Sequence, residues 1–255
     1  MSYIETNGLS LYYEEHGAGE PLVLLHGGFC SLETWQHQID ALAEDHQVHA
    51  PERPGHGRTP DRDGPVTFEG MVSDTLAYLD AFDLDSVHVV GFSDGAITAL
   101  LLAMDHPERV RSLVSISANL DPDAFEDDGE ADAADPGEGT DEDPDGADDY
   151  AGVCAAYDRL SPDGPEHAEP LLEKLMQLWT TQPQIDPADL GRIGAPTLVM
   201  AGDGDHITTA HTVAIARAIP GAQLAIVPGA RHMVIEHRPA LVNQLLREFL
   251  GGAGT

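Results

Sequence analysis

The chain has 255 residues, of which 45 are acidic and 12 are basic, so its formal net charge at pH 7 is −33. A surface this acidic repels nucleic acid and anionic membranes, which excludes both as expected partners. No apolar run approaches the roughly 18 residues that a membrane-spanning helix needs. Because Met1–Gly8 lacks the basic and apolar regions of a secretory signal, we expect a cytoplasmic protein.

Part of the negative charge is concentrated between Asp121 and Asp149, where 29 residues include 15 Asp or Glu and no Lys or Arg. The remaining 226 residues still carry a net charge of −18, so the acidity is global. Molar salt shortens the Debye length to about 3 Å and screens most of this self-repulsion. Our hypothesis is a salt-adapted host; the alternative is an acidic, GC-biased sequence from an ordinary bacterium.

In chain order, short apolar runs alternate with amphipathic stretches, which predicts a mostly parallel sheet covered by helices. Asn7-Gly8 separates the first two runs and is typical of a hairpin turn. The predicted strands are 3–6, 9–14, 22–25, 47–51, 86–90, 113–116, 197–200 and 224–227. The predicted helices are 32–42, 68–82, 95–106, 168–179 and 239–250.

The interval between Ala118 and Pro196 interrupts this alternation. We interpret 1–119 together with 196–255 as an α/β core, and 120–195 as a cap inserted over the sheet. The first part of the cap, about 121–149, is rich in Asp, Gly and Pro and is predicted to be a flexible acidic loop. Its second part contains the predicted helix 168–179.

Gly91-Phe92-Ser93-Asp94-Gly95 has the G-x-S-x-G pattern between a predicted strand and a predicted helix. This arrangement is typical of a nucleophile elbow, a strained turn that presents a serine hydroxyl. We therefore predict Ser93 as the nucleophile, at an unfavourable backbone angle. The start of the following helix provides N–H groups that stabilise negative charge, and the backbone N–H of Asp94 is predicted to form half of an oxyanion hole.

A serine nucleophile needs a base, and the base needs an orienting acid. The acid is expected in the loop after strand 197–200, where we favour Asp205 and keep Asp203 in reserve. The base is expected after strand 224–227, where the loop ends in His232. Three histidines are less well placed, because one adjoins the acid and two lie at or near predicted helix starts: His206, His211 and His237.

The second half of the oxyanion hole is expected in the loop His26-Gly27-Gly28-Phe29, where the backbone N–H of either Gly28 or Phe29 would complete the pair. We expect His26 to brace this loop. The two cysteines, Cys30 and Cys154, and the scattered histidines show no paired spacing typical of a zinc site, so no metal is expected.

These motifs together resemble the α/β-hydrolase fold, in its group of esterases, lactonases and C–C hydrolases. The resemblance is carried by segments spanning residues 22–232: Leu24–Gly28, Pro51–Arg58, the elbow at Ser93, Gly202–Asp205 and Gly229–His232. It implies an eight-stranded, mostly parallel sheet flanked by helices, no cofactor, and an acyl-enzyme intermediate. The expected substrate is a small carboxylic ester or lactone.

Several alternatives stay open on the same residues. A C–C hydrolase or enol-lactonase handles anionic substrates and needs a cation in the cap, but Arg159 and Lys174 are the only Lys or Arg residues between Arg111 and Arg192. A cofactor-free haloperoxidase uses the same triad, and a non-catalytic ligand receptor is a further alternative. Asp94 resembles the elbow carboxylate of amino-acid ester hydrolases, where it would bind an ammonium group; alternatively, it only favours the helix start. The sequence leaves the oligomeric state open.

Overall fold

A computed structural model describes residues 2–124 and 144–253 of the chain. Within these residues, eight strands form one sheet in the order β1-β2-β4-β3-β5-β6-β7-β8. The first two strands are antiparallel to their neighbours and the others pair in parallel, which confirms the predicted sheet. The strands are β1 Ser2–Thr6, β2 Leu9–Gly17, β3 Glu20–Leu25, β4 His46–Pro51, β5 Val87–Phe92, β6 Val110–Ile116, β7 Thr197–Gly202 and β8 Gln223–Val227.

The β1–β2 hairpin closes as its sequence predicts. Thr6 pairs with Leu9, and both turn residues have positive φ, 48° at Asn7 and 79° at Gly8. Two positive φ angles match the right-handed twist of the flanking strands, and Asn-Gly adopts them at low steric cost.

Helices cover both faces of the sheet, and the alternation of side chains along each strand divides the core between them. In β3, Val23 and Leu25 pack on the face under α2 and α3, whereas Leu22 and Leu24 pack on the face under α1 and α8. All four side chains are at most 1% exposed. The helices of the described residues are α1 Gln36–Leu42, α2 Phe68–Ala81, α3 Asp94–Asp105, α4 Pro144–Leu160, α5 Ala168–Thr181, α6 Thr209–Ala218, α7 Val234–His237 and α8 Pro239–Ala253.

Two helices, α4 and α5, stand between β6 and β7 in the chain, where we expected a cap. Helix α5 matches the predicted helix and buries Leu171, Leu175 and Leu178. Helix α4 was not predicted: residues 144–149, which we assigned to the acidic loop, form its first turns. Proline is favourable in a first helical turn, and α4 begins at Pro144. The rest of that predicted loop, 125–143, lies outside the described residues.

Several ion pairs join the cap to the core, and two of them come from the basic residues of its helices. Arg159 of α4 contacts Glu33 at 2.6 Å, and Lys174 of α5 contacts Asp61 at 2.6 Å. Between these pairs, the buried leucines of α5 join the core cluster that contains α2 and α3. Over the part of the chain described, no helix is both long and apolar enough to cross a membrane.

Candidate active site

Ser93 occupies the turn between β5 and α3 with φ 52° and ψ −121°. This backbone conformation is uncommon for a residue with a side chain, so the predicted strained turn is confirmed. The flanking glycines make it possible. A Cβ on Gly91 would lie 2.2 Å from the carbonyl oxygen of Gly95, and one on Gly95 would lie 2.0 Å from the carbonyl oxygen of Leu25.

His232 lies in the loop after β8, next to the serine. Its Nε2 is 3.0 Å from Ser93 Oγ, and its Nδ1 is 2.9 Å from Asp205 Oδ1. The structure thus brings the favoured serine, histidine and aspartate into one chain of hydrogen bonds. The three residues follow different strands, β5, β7 and β8, whose carboxyl ends meet at one edge of the sheet.

Asp205 is 5% exposed and accepts two further hydrogen bonds. The hydroxyl of Ser117 donates to its Oδ2 at 2.5 Å, and the backbone N–H of Ile207 donates to its Oδ1 at 3.1 Å. Burial alone would raise the pKa of Asp205, but His232 and the hydroxyl of Ser117 outweigh it and lower the pKa to about 2. The carboxylate is therefore ionised at any ordinary pH, as an acid that stabilises an imidazolium must be.

The reserve residues have other contacts. Asp203 accepts hydrogen bonds from the backbone N–H groups of Gly229 and Ala230, so it shapes the loop that carries His232. His211 accepts from the backbone N–H of Leu120 at 2.9 Å. His237 accepts from the backbone of Arg231 and His206 stacks on His232, with ring centroids 4.0 Å apart. None of these contacts reaches Ser93.

The loop from His26 to Phe29 lies against the elbow. A Cβ on Gly28 would be 2.4 Å from Asp94 Oδ2 and 2.6 Å from Trp179 Cζ2, so only glycine fits between them without displacement. Phe29 has a positive φ of 56° and stacks on Tyr157 of α4, with ring centroids 5.0 Å apart. The loop therefore contacts both the serine turn and the cap.

Asp94 is connected to the cap through its side chain. The carboxylate is 3% exposed, and the indole Nε1 of Trp179 lies 3.0 and 3.1 Å from its two oxygens. Burial raises the pKa of Asp94, while the charge of Arg53 and the bond from Trp179 oppose that change. Sequence reasoning missed Trp179 and Ser117, although Ser117 follows the end of β6 just as Ser93 follows β5.

Asp205, His206 and His232 have ligand atoms within 4.8 Å of one another, a spacing that a metal ion could bridge. Both ring nitrogens of His232 already face Ser93 and Asp205. A metal bound here would replace one of those hydrogen bonds, since each nitrogen offers a single ligand position. The arrangement therefore fits proton transfer better than metal binding.

A cavity of about 770 Å³ lies between α4, α5 and Phe29. None of the described residues that line it is Lys or Arg. Its apolar lining includes Phe29, Cys154, Leu172 and Met176, and its carboxylates are Asp158, Glu166, Glu169 and Glu173.

The sheet order, the strained serine turn and the Ser–His–Asp chain define the class of α/β-hydrolase-fold proteins. Comparison with protein families agrees: the model of the alpha/beta hydrolase family matches residues 22–245, so the chain belongs to that family.

Individual relatives are more distant. A candidate carbamate hydrolase, RutD of Azorhizobium caulinodans, is 38% identical over 125 residues, which cover 49% of this chain and 47% of that protein. The chain spans about half or less of the length of the first curated relatives that it matches. The solved structure of Est816, an N-acyl homoserine lactone degrading enzyme, has a TM-score of 0.81 at 26% identity, covering 97% of this chain and 100% of that chain. The enol-lactonase from Burkholderia xenovorans LB400 has a TM-score of 0.78 at 22% identity, covering 98% and 100%, and shows the fold alone.

Proposed function

We propose that the protein is a serine hydrolase that cleaves a small carboxylic ester or lactone through an acyl-enzyme intermediate. The observation that carries this proposal is the continuous chain Ser93–His232–Asp205, with distances of 3.0 and 2.9 Å. A serine hydroxyl is a poor nucleophile alone, and a histidine oriented by a carboxylate is the common way to activate it.

In the acylation step, His232 Nε2 takes the proton of Ser93 as Oγ attacks the substrate carbonyl. Asp205 fixes the tautomer with the proton on Nδ1 and stabilises the imidazolium that forms. His232 then returns the proton to the leaving oxygen as its bond to the acyl carbon breaks. Water, deprotonated by the same imidazole, attacks the acyl-enzyme, and the proton passes back to Ser93 Oγ as the acid leaves.

The tetrahedral intermediates place negative charge on the former carbonyl oxygen. We assign its stabilisation to the backbone N–H of Asp94, at the start of α3, and to that of Gly28 or Phe29 in the facing loop. A single donor of this kind typically contributes about 3 kcal/mol to catalysis. The glycine at position 28 allows the loop to approach the elbow, because any side chain there would collide with Asp94.

The charge of the substrate is inferred from the cavity next to Phe29, which lies between the cap helices and is not lined by Ser93 or His232. Four carboxylates and no lysine or arginine line it among the described residues, so an anion that approaches along the cap is repelled. Arg159 of α4 and Lys174 of α5 contact the core carboxylates Glu33 and Asp61 instead. This arrangement favours a neutral ester or lactone over the anionic substrates expected for a C–C hydrolase or an enol-lactonase. Est816 degrades N-acyl homoserine lactones, and a lactone of that kind carries no formal charge.

Asp94 is better explained by its contact with the cap than by substrate recognition. Its carboxylate is buried and both oxygens face the indole N–H of Trp179. We therefore propose that Asp94 positions Trp179 over the elbow. An aminoacyl ester should accordingly be turned over no faster than a neutral ester of equal size.

The test is hydrolysis of p-nitrophenyl esters with acyl chains of increasing length, an aminoacyl ester and a neutral lactone, at low and molar salt. We expect turnover of neutral substrates that disappears in Ser93→Ala, and labelling of Ser93 by a fluorophosphonate. Ser117→Ala is the matched control, because it removes a serine hydroxyl from the network while leaving Ser93 and His232 in place; it should still be labelled. A Ser93→Ala variant with wild-type turnover would contradict the mechanism, and a wild type that neither labels nor turns over would favour a ligand receptor.

A further inference from the structure

Arg53 is a buried cation that the mechanism above does not use. It follows β4, is 3% exposed, and lies behind the loop that carries Gly28 and Phe29. Among the described residues, its guanidinium makes hydrogen bonds to backbone oxygens and a sulfur, its Nη2 also lies 3.2 Å from Nδ1 of His26, and it forms no ion pair with a carboxylate. The negative charge of Asp94 favours the ionised guanidinium without touching it. Burying a charge without a directly paired anion is costly, so the groups that the guanidinium does bind indicate its role.

The guanidinium binds the peptide oxygens of that loop. Its Nη2 donates to the carbonyl oxygen of His26 at 2.5 Å and to that of Gly27 at 2.8 Å. Its Nη1 lies 3.2 Å from the sulfur of Met71. A charged donor makes a shorter and stronger bond to a carbonyl than a neutral one does, so these contacts fix two successive peptide groups.

His26 reinforces the contact at Gly27. Its Nε2 lies 3.1 Å from the backbone nitrogen of Arg53, and its Nδ1 lies 2.8 Å from the carbonyl oxygen of Gly27. Because the backbone N–H of Arg53 must donate, Nε2 accepts and Nδ1 carries the ring proton. Burial, and then the charge of Arg53, lower the pKa of His26 well below its ordinary value, so the ring is neutral. The oxygen of Gly27 thus receives hydrogen bonds from both side chains.

The geometry of the peptide bond transmits this contact to the other side of the loop. In a planar trans peptide the C=O of Gly27 and the N–H of Gly28 point in opposite directions. Because Arg53 holds the oxygen of Gly27, the N–H of Gly28 is directed away from Arg53. Gly27 lies beside the nucleophile, since a Cβ on it would be 3.3 Å from Ser93 Cβ. A cation bonded to the oxygen also polarises the amide and strengthens its N–H as a donor.

Building on the proposed ester hydrolysis, we propose that Arg53 is a positioning residue of the oxyanion hole: it orients and polarises the N–H of Gly28 through the carbonyl of Gly27. This assigns the second oxyanion donor to Gly28 rather than Phe29. Arg53 touches no substrate; it acts when negative charge develops on the carbonyl oxygen. Its removal should therefore weaken binding of the transition state more than binding of the substrate.

The test compares Arg53→Met and Arg53→Lys with Arg58→Met. Arg58 is a matched control because it lies on the same segment and binds Glu52 and Glu33, away from the oxyanion loop. For each variant we would measure kcat and KM with a neutral p-nitrophenyl ester, the inhibition constant of a boronic acid that forms a tetrahedral adduct with serine, and Tm.

We expect Arg53→Met to lower kcat by about 10- to 100-fold, less than complete loss of an oxyanion donor, with KM nearly unchanged. The boronic acid should bind more weakly by a similar factor, and Arg53→Lys should recover part of both. Arg58→Met should lower Tm while kcat and boronate affinity stay near wild type. A purely structural role for Arg53 predicts the same pattern for it as for Arg58.

Two outcomes overturn this inference. One is an Arg53→Met protein that folds and keeps wild-type kcat and boronate affinity while the wild type labels with fluorophosphonate; the ester-hydrolase proposal then survives alone. The other is a wild type that neither labels nor hydrolyses esters, which removes both proposals. If Arg53→Met does not fold, Arg53→Lys decides. The shorter ammonium side chain of lysine does not reproduce the contact of one guanidinium nitrogen with both carbonyls. Unchanged boronate affinity in Arg53→Lys therefore contradicts the inference.

Discussion

The contact between Trp179 and Asp94 predicts a measurable, pH-dependent coupling between the cap and the elbow. Trp179→Phe keeps an aromatic ring but removes the indole N–H, which lies 3.0 and 3.1 Å from the two oxygens of a buried carboxylate. A hydrogen bond to a charged group contributes about 1.5–3 kcal/mol to stability, and a neutral one about 0.5–1.5 kcal/mol. An ionised Asp94 at neutral pH gives a coupling free energy in the first range, and a protonated one gives a coupling in the second.

The sign of the pH dependence follows from burial. Burial raises the folded-state pKa of Asp94 above its ordinary value of 3.8. The stability that this shift provides is fully present below pH 3.8 and is lost as pH rises through the folded-state pKa. The indole N–H favours the ionised form, so Trp179→Phe raises that pKa further and deepens the loss. The variant should therefore be destabilised more at neutral pH than below pH 3.8.

A double-mutant cycle isolates this term from the loss of ring contacts. The free energy of unfolding would be measured by urea denaturation in molar NaCl for the wild type, Trp179→Phe, Asp94→Ala and the double variant, at acidic and at neutral pH. Phe92→Leu is a useful control, since it also truncates a buried ring but leaves the indole–carboxylate contact intact. A coupling free energy of zero at neutral pH, or one equal at both pH values, would refute the charge-assisted contact.

Three further predictions concern the triad acid Asp205, the glycine at position 28 and the net charge of the protein. Asp205→Asn should lower kcat by about 10⁴-fold while Asp203→Asn retains most activity, and equal losses would reverse their roles. The pKa of Asp205 is about 2, below its ordinary 3.8. Its ionised form therefore contributes about 2 kcal/mol to stability above pH 3.8, and this contribution is lost as pH falls through 2. The urea unfolding curves of Asp205→Asn and the wild type should accordingly converge near pH 2. Gly28→Ala, whose Cβ would lie 2.4 Å from Asp94, should cost about 1–3 kcal/mol in urea unfolding; an unchanged midpoint would argue against the close packing. Thermal scans should show Tm rising between low and molar NaCl, and no gain would end the salt-adaptation hypothesis.

Much of the core could be predicted because its signals are local. The hairpin at Asn7-Gly8 depends on two residues that tolerate positive φ, and each parallel strand is an apolar run bounded by turn residues. The elbow at Ser93 was predicted for the same reason, since the glycines that permit its strained backbone lie two residues away on either side. For the base and the acid, the order of strands indicated the two loops, since His232 and Asp205 each follow one of two neighbouring strands, β8 and β7. It did not separate Asp205 from Asp203, which follows the same strand.

The features that escaped prediction depend on contacts between distant parts of the chain. Trp179 bonds to a residue 85 positions away, and Ser117 donates to one 88 positions away. Neither contact leaves a periodicity or a spacing in the sequence. Helix α4 begins inside an acidic, proline-containing stretch, whose composition favours a loop when considered without the core that α4 packs against. The position of Arg53 in a glycine-rich segment likewise gave no sign that its guanidinium would bind backbone oxygens.

The two sets of forces that hold the cap respond differently to salt. The chain has a single lysine, Lys174, and it is paired with Asp61, while Arg159 is paired with Glu33. The Arg159 pair is exposed enough for salt to screen most of its attraction. The apolar face of α5, with Leu171, Leu175 and Leu178 at most 2% exposed, is not screened, and excluded salts strengthen such burial. In molar salt the cap should therefore stay docked through its leucines and Trp179, while the ion pairs mainly determine its position at low salt.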